Sequence, residues 1–214
     1  MLDIARASSL AGAVLAMARA AGPAPALELA CEGLSGCPGY LAPGRHALHA
    51  LDAALVDPAC PDQPPAILRT ATDPALAAFG LRLSELAPCP PLAPLPECAQ
   101  LALALRLGLL ARILDLAFRH LETREIFGQR ATHLQLIKAR FSAGGAFLAR
   151  METELSLGPV AAPGLLHDEI DRHTIQAAKL MGGHGYLEGS LHGLEYCSQM
   201  IRAVYGAPVP EHPA

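Results

Sequence analysis

The chain has 214 residues, of which 52% are hydrophobic and only 17% charged, with a net charge of -4. That length suits one large or two small domains, and so apolar a composition favours helices buried on several sides within an assembly. The mild charge, with no basic stripe and no interleaved aromatics, excludes nucleic acid as an expected partner, and no apolar run free of charge reaches membrane-spanning length.

In chain order, residues 2–21 read as one helix ended by Gly22-Pro23. A second, short helical piece is expected over 26–32. From residue 34 to 96 proline and glycine become dense and apolar runs become short. The runs 39–42, 53–56, 66–69 and 79–83 are candidate strands separated by turn chemistry. Pro96-Glu97 then opens a long helix to about residue 122, since proline and an acid both suit a first turn. On it Arg112, Asp115, Arg119 and Glu122 share one polar stripe at helical spacing. Further helices are expected over 132–157, 166–181 and 191–205, each stopped by glycine or proline. Four antiparallel helices with short loops make a bundle. The expected class is therefore α+β, mostly α: a C-terminal four-helix bundle preceded by a small, shortened β-domain and one N-terminal helix.

The six cysteines show no paired metal-like spacing, Cys31 and Cys37 being too far apart for a CxxC. Reduced thiols, no metal site and a cytoplasmic location are the expectation. Residues 8–17 faintly mimic a signal-peptide core, but Asp3 offsets Arg6 in the flank.

Two motifs stand far apart. Thr123-Arg124-Glu125-Ile126-Phe127-Gly128 is followed at a fixed spacing by Gln135, and Met181-Gly182-Gly183-His184-Gly185-Tyr186 lies near the C-terminus. Together they resemble the C-terminal helical domain of the acyl-CoA dehydrogenases, flavoenzymes that oxidise fatty acyl thioesters. In that family the arginine-x-x-phenylalanine-glycine turn reaches across a subunit interface to the FAD of a neighbouring protomer. The resemblance implies FAD contacts here at Arg124, Phe127, Gln135, Lys179, Gly182 and Gly183. An arginine fork suits pyrophosphate, an aromatic ring packs on an adenine or flavin edge, and glycine lets backbone approach closely. Lys179 stands where the family carries glutamine, so it would meet a phosphate as a point charge. Tyr205 resembles the tyrosine opening a family segment beside the flavin. Further upstream, 34–36, 39–43 and 51–56 resemble a shortened middle β-domain. The implied division is 1–33, a remnant of the N-terminal helical domain; 34–95, the partial β-domain; and 96–214, the bundle.

The same resemblance exposes departures. The reaction needs a carboxylate at the substrate α-carbon. Most of the family places it directly after the tyrosine, where this chain has Gly206; some branches place it near the start of the first bundle helix, where this chain has Cys98, with Glu97 one residue early. One residue turns a helix by about 100°. The resemblance therefore assigns no catalytic residue. It implies the non-catalytic subunit of a heteromeric acyl-CoA dehydrogenase, inactive alone, sharing FAD with a larger subunit; such pairs occur in bacterial steroid degradation. A homo-oligomer, a flavin-free scaffold of the same descent, and a truncated enzyme using Glu97 are the alternatives. Plainer roles also stand beside these. Arg124 has Glu122 and Glu125 at hand as salt-bridge partners, and Phe127 suits the bundle core as well as a ring contact. Cys98 reads as inert core, His133 and His184 as structural groups, and His167-Asp168 with Asp171-Arg172-His173 as a solvated helix face.

Overall fold

The computed structural model describes residues 4–57, 63–87, 96–186 and 191–206. It begins with helix α1 (Ile4–Ala20) and helix α2 (Pro23–Ser35). Gly22, at φ 102°, makes the sharp corner between them, and Pro23 pre-sets the first turn of α2. Strand β1 (Tyr40–Leu41) follows, then β2 (His46–Ala50), β3 (Leu55–Val56), β4 (Ile67–Ala71), the short helix α3 (Pro74–Ala77) and β5 (Leu81–Leu86). β1 pairs parallel with β3. The others form an antiparallel sheet of order β2-β5-β4, with Leu48 opposite Leu83 and Ser84 opposite Thr70.

The helical part starts with α4 (Pro96–Glu122) and a small hairpin, β6 (Glu125–Ile126) and β7 (Gln129–Arg130). A 3-10 turn (Ala131–His133), α5 (Gln135–Leu157), α6 (Pro163–Ala178), a 3-10 segment (Lys179–Tyr186) and α7 (Leu191–Tyr205) complete it. α4 is the axis of the molecule. Every residue from Leu101 to Ala111 is buried, because α1, α2, α5, α6 and α7 cover it on all sides. The class is α+β, mostly α, as the sequence implies.

α1 lies against α4 as a fifth helix of the bundle. A Cβ on Gly108 would sit 2.3 Å from the Leu15 carbonyl oxygen and 2.6 Å from the Ala18 Cβ, so the two backbones touch there. The polar stripe of α4 seals this junction. Arg112 donates to the Arg19 and Ala20 carbonyls at 3.0 and 2.9 Å, capping the end of α1, and Asp115 accepts two hydrogen bonds from Arg19 at 2.7 and 2.9 Å. At the start of α4, Gln100 donates to the Gly158 carbonyl and accepts from the Val160 N–H, both at 3.1 Å, which fixes the α5–α6 turn.

Several elements depart from their sequence expectation. β2 is invisible as an alternating strand because His49 counts as polar yet is fully buried. Its Nδ1–H donates to the Ala50 carbonyl (2.8 Å), and its Nε2 accepts from the Ser84 hydroxyl (2.9 Å). α3 is announced only by Asp73-Pro74: the Asp73 carboxylate accepts from the Ala75 and Leu76 N–H groups. α5 begins at Gln135 and not at residue 132, since residues 131–133 coil into the 3-10 turn instead.

Candidate functional site

The arginine-x-x-phenylalanine-glycine turn folds as the β6–β7 hairpin. Arg124 roots it: its N–H donates to the Leu121 carbonyl (3.2 Å), and its own carbonyl accepts from the Ala131 N–H (2.8 Å). Glu125 pairs with Arg130 and Ile126 with Gln129, leaving Phe127 and Gly128 as the two-residue tip. Both tip residues take positive φ, 52° and 74°. That is the turn a right-twisted two-residue hairpin requires, but phenylalanine occupies it against its steric preference. Phe127 is also 95% exposed. It is therefore not a core residue.

Arg124 is exposed as well. Neither Glu122 nor Glu125 pairs with it, and among the described residues it has no carboxylate within ion-pair distance. Its Nη1 instead donates to the Nε2 of His120, one turn back on α4, at 3.1 Å.

The remaining motif residues gather at the same end of the bundle. Gln135 is the first residue of α5, exposed. Lys179 and Gly182 follow the end of α6, both exposed, and Gly182 holds φ 54° and ψ -136°, a region reserved for glycine. Gly183 lies in the same 3-10 segment; the side chain of His184 lies outside the described residues. A hydrogen bond from Arg140 of α5 to Gln176 of α6 shows that these two helix ends adjoin. Exposed Arg119, Arg124, Arg130 and Lys138 outnumber Glu122 and Glu125 here, so this end favours an anion.

The positions that the resemblance implies for a base lie elsewhere, and the space between Cys98 and Tyr205 is filled. Cys98 and Tyr205 line one apolar cavity of about 10 Å³, walled by Leu27 and Cys31 of α2, Leu41 of β1 and Ile201 of α7. That is room for roughly one water molecule. Burial pushes the Cys98 thiol up to about 12, so it stays an unreactive thiol. The Tyr205 hydroxyl donates to the Leu48 carbonyl (2.8 Å) and leans on that of Leu41 (3.2 Å), and burial raises it well above its ordinary value. Gly206 has no room for a side chain. A Cβ there would lie 2.4 Å from the Arg202 carbonyl oxygen and 3.3 Å from His167 Nε2. Glu97 sits in the first turn of α4, away from this cavity lining.

Beside Gly206 lies a buried polar cluster that pattern reading misses. Arg106, fully buried in the middle of α4, donates to Ser198 of α7 (3.0 Å), to Nδ1 of His167 (2.7 Å) and to Asp171 of α6. Arg202 of α7 closes the network onto Asp171 (2.5 Å) and Asp168 (2.7 Å). His167 and Asp171 are thus not a solvated face: His167 is 2% exposed. Since arginine only donates, Nδ1 accepts and the His167 proton sits on Nε2, which has no partner among the described residues. Burial, then Arg106 and Arg202, push the imidazole down to about 3, so it is neutral near pH 7. Burial also lowers Arg106 to about 10 against the pull of Asp171, leaving it charged. The available signal was one arginine in an otherwise apolar stretch of α4, with His167 and Asp171 one helical turn apart on α6.

No protein-family model and no curated protein sequence matches the chain. Solved structures do. The ChsE4–ChsE5 complex from Mycobacterium tuberculosis aligns with 79% of this chain and 56% of its own, at TM-score 0.51 and 18% identity. A variant of the Tcur3481–Tcur3483 steroid acyl-CoA dehydrogenase aligns with 76% of this chain and 52% of its own, at TM-score 0.52 and 17% identity. The chain has an acyl-CoA dehydrogenase fold. It spans about half the length of the structures it matches. An acyl-CoA dehydrogenase from Geobacillus kaustophilus is similar over 65% of this chain and 44% of its own, at TM-score 0.48 and 14% identity.

Proposed function

We propose that this chain is the non-catalytic subunit of a heteromeric acyl-CoA dehydrogenase and completes an FAD site at the subunit interface. The observation that carries the reading is Phe127, 95% exposed and held at positive φ on the tip of a hairpin. A strained, solvent-facing aromatic has no use inside the isolated chain, and it suits a surface that a partner and its cofactor cover. The neighbouring cations fit a dinucleotide diphosphate. In the proposed site Arg124 and Lys179 meet phosphate, Phe127 packs on a ring, Gln135 hydrogen-bonds the dinucleotide, and Gly182 and Gly183 admit its backbone approach. When bound, FAD supplies the hydride acceptor. The chain itself offers no base: Gly206 is closed to a side chain, Cys98 is a buried thiol, and the apolar cavity between Cys98 and Tyr205 is too small for an acyl group. The larger subunit would then bring the carboxylate and the acyl pocket. Two of the solved structures that the chain matches carry paired protein names, ChsE4–ChsE5 and Tcur3481–Tcur3483, which fits an assembly of this kind.

The test is the visible spectrum of the chain purified alone and purified with a co-expressed larger dehydrogenase subunit. The expected result is a colourless chain and a yellow complex. A stable but colourless complex would select a flavin-free scaffold instead.

A further inference from the structure

We infer that His120 is a positioning residue that holds Arg124 ready for a diphosphate-class anion while leaving its positive charge unspent. The inference rests on the cofactor-interface reading above. Arg124 roots the β6–β7 hairpin, so its backbone is fixed, but its exposed side chain is long and would otherwise sample many rotamers. The contact between Arg124 Nη1 and His120 Nε2, at 3.1 Å, restrains it from one helical turn back. The chemistry of that restraint is specific. Guanidinium has only donors, so His120 Nε2 must be the acceptor, and the imidazole must be neutral with its proton on Nδ1.

A carboxylate would restrain the same guanidinium more strongly, and Glu122 and Glu125 flank it in sequence. Neither is within ion-pair distance. The difference matters for binding. A carboxylate neutralises the cation and competes with an incoming phosphate for the same N–H fork. A neutral imidazole takes one N–H and leaves the charge and the remaining donors facing solvent. Ordering the side chain beforehand lowers the entropy lost when the anion arrives. The surrounding Arg119, Arg130 and Lys138 add to the attraction without sharing the contact.

The experiment compares His120→Gln, His120→Ala, His120→Glu and Arg124→Ala in the assembled protein, titrating FAD and following flavin fluorescence. Glutamine retains a neutral acceptor near the position of Nε2, so it should bind close to wild type. Alanine should weaken binding by about two- to tenfold, the range for the ordering of one long side chain. Glutamate should weaken it further, because it spends the charge. A carboxylate in the last turn of α4 also opposes the helix dipole, so denaturant midpoints of the same variants, measured beside FAD affinity, separate positioning from bulk stability. If Arg124→Ala leaves FAD affinity unchanged, the cofactor reading itself fails and this inference with it. If Arg124→Ala weakens binding while His120→Ala does not, or if His120→Glu binds as well as wild type, His120 has no positioning role. A ligand-independent check is the His120 tautomer by nitrogen NMR of the full chain: the Nδ1–H form is expected, and the Nε2–H form would overturn the assignment.

Discussion

Around Cys98 and Tyr205 the chain is packed with apolar side chains from α2, β1 and α7, whereas the hairpin after α4 extends a phenylalanine and an arginine into solvent. Both regions correspond to functional parts of the acyl-CoA dehydrogenase resemblance. One is closed, with about 10 Å³ left between Cys98 and Tyr205 and no room for a Cβ at the neighbouring Gly206. The other holds Phe127 and Arg124 exposed, Phe127 at a positive φ, and adds neither to the core. The contrast teaches that a filled interior and an open surface can be told apart physically. In the first region packing and hydrogen bonds take the space; in the second, exposure and backbone strain persist.

The sharpest way to break this contrast is to compare stability losses in the two regions. Arg106→Ala removes the cation that joins Ser198, His167 and Asp171, and should cost about 3–5 kcal/mol of unfolding free energy. Phe127→Ala should change stability by less than about 0.5 kcal/mol. Denaturant midpoints measure both, and comparable losses would mean that the hairpin is structural after all.

The complementary test is on binding. Arg124→Ala should leave the fold intact but weaken FAD retention in the assembled complex by about 1.5–3 kcal/mol, roughly one to two decades in affinity. Flavin content after dialysis reports it; full occupancy in the variant would remove Arg124 from the site.

The buried cluster also predicts an acid sensitivity confined to the closed region. His167 titrates near its ordinary 6.5 when unfolded but near 3 in the fold. Between these values the unfolded chain takes up a proton that the folded chain refuses. Stability is therefore full above pH 6.5 and declines as pH falls toward 3, by about 1.4 kcal/mol per pH unit. Unfolding free energies from urea titrations at about pH 7.5 and about pH 5 should differ by roughly 2 kcal/mol from this group, and His167→Gln should remove that part of the difference.

The smallest expected effect concerns Glu97. Glu97→Gln should leave acyl-CoA-dependent dye reduction by the complex nearly unchanged, because Glu97 stands at the start of α4 and outside the cavity lining. A loss within the roughly 10²–10⁴-fold range of a positioned base, with FAD still bound, would make this chain a truncated enzyme.

Much of the architecture was legible because it is set locally. The bounds of α4 and α7 follow from Pro96 at one helix start and glycine or proline beyond the ends, and the bundle follows from leucine and alanine at helical spacing. The strands were harder. β2 carries two histidines and no β-branched residue, so its identity rests on pairing with β5, more than thirty positions away.

The sequence by itself determined where the long helices run, and the resemblance it carries implies that Cys98 and Gly206 stand where a base would and that Arg124, Phe127, Gln135, Lys179, Gly182 and Gly183 form the candidate set. Only the tertiary structure decided which charges are spent and which are free. Arg112 and Asp115 are consumed in docking α1, and Arg106 is consumed against α6 and α7. Arg124 escapes its neighbouring glutamates and leans on a neutral histidine. The physical reason is distance along the chain. Helix periodicity, caps and breakers act over a few residues, while the partners of Arg19, Arg106 and Tyr205 lie 96, 65 and 157 positions away. No local rule assigns those pairs until the backbone has brought them together.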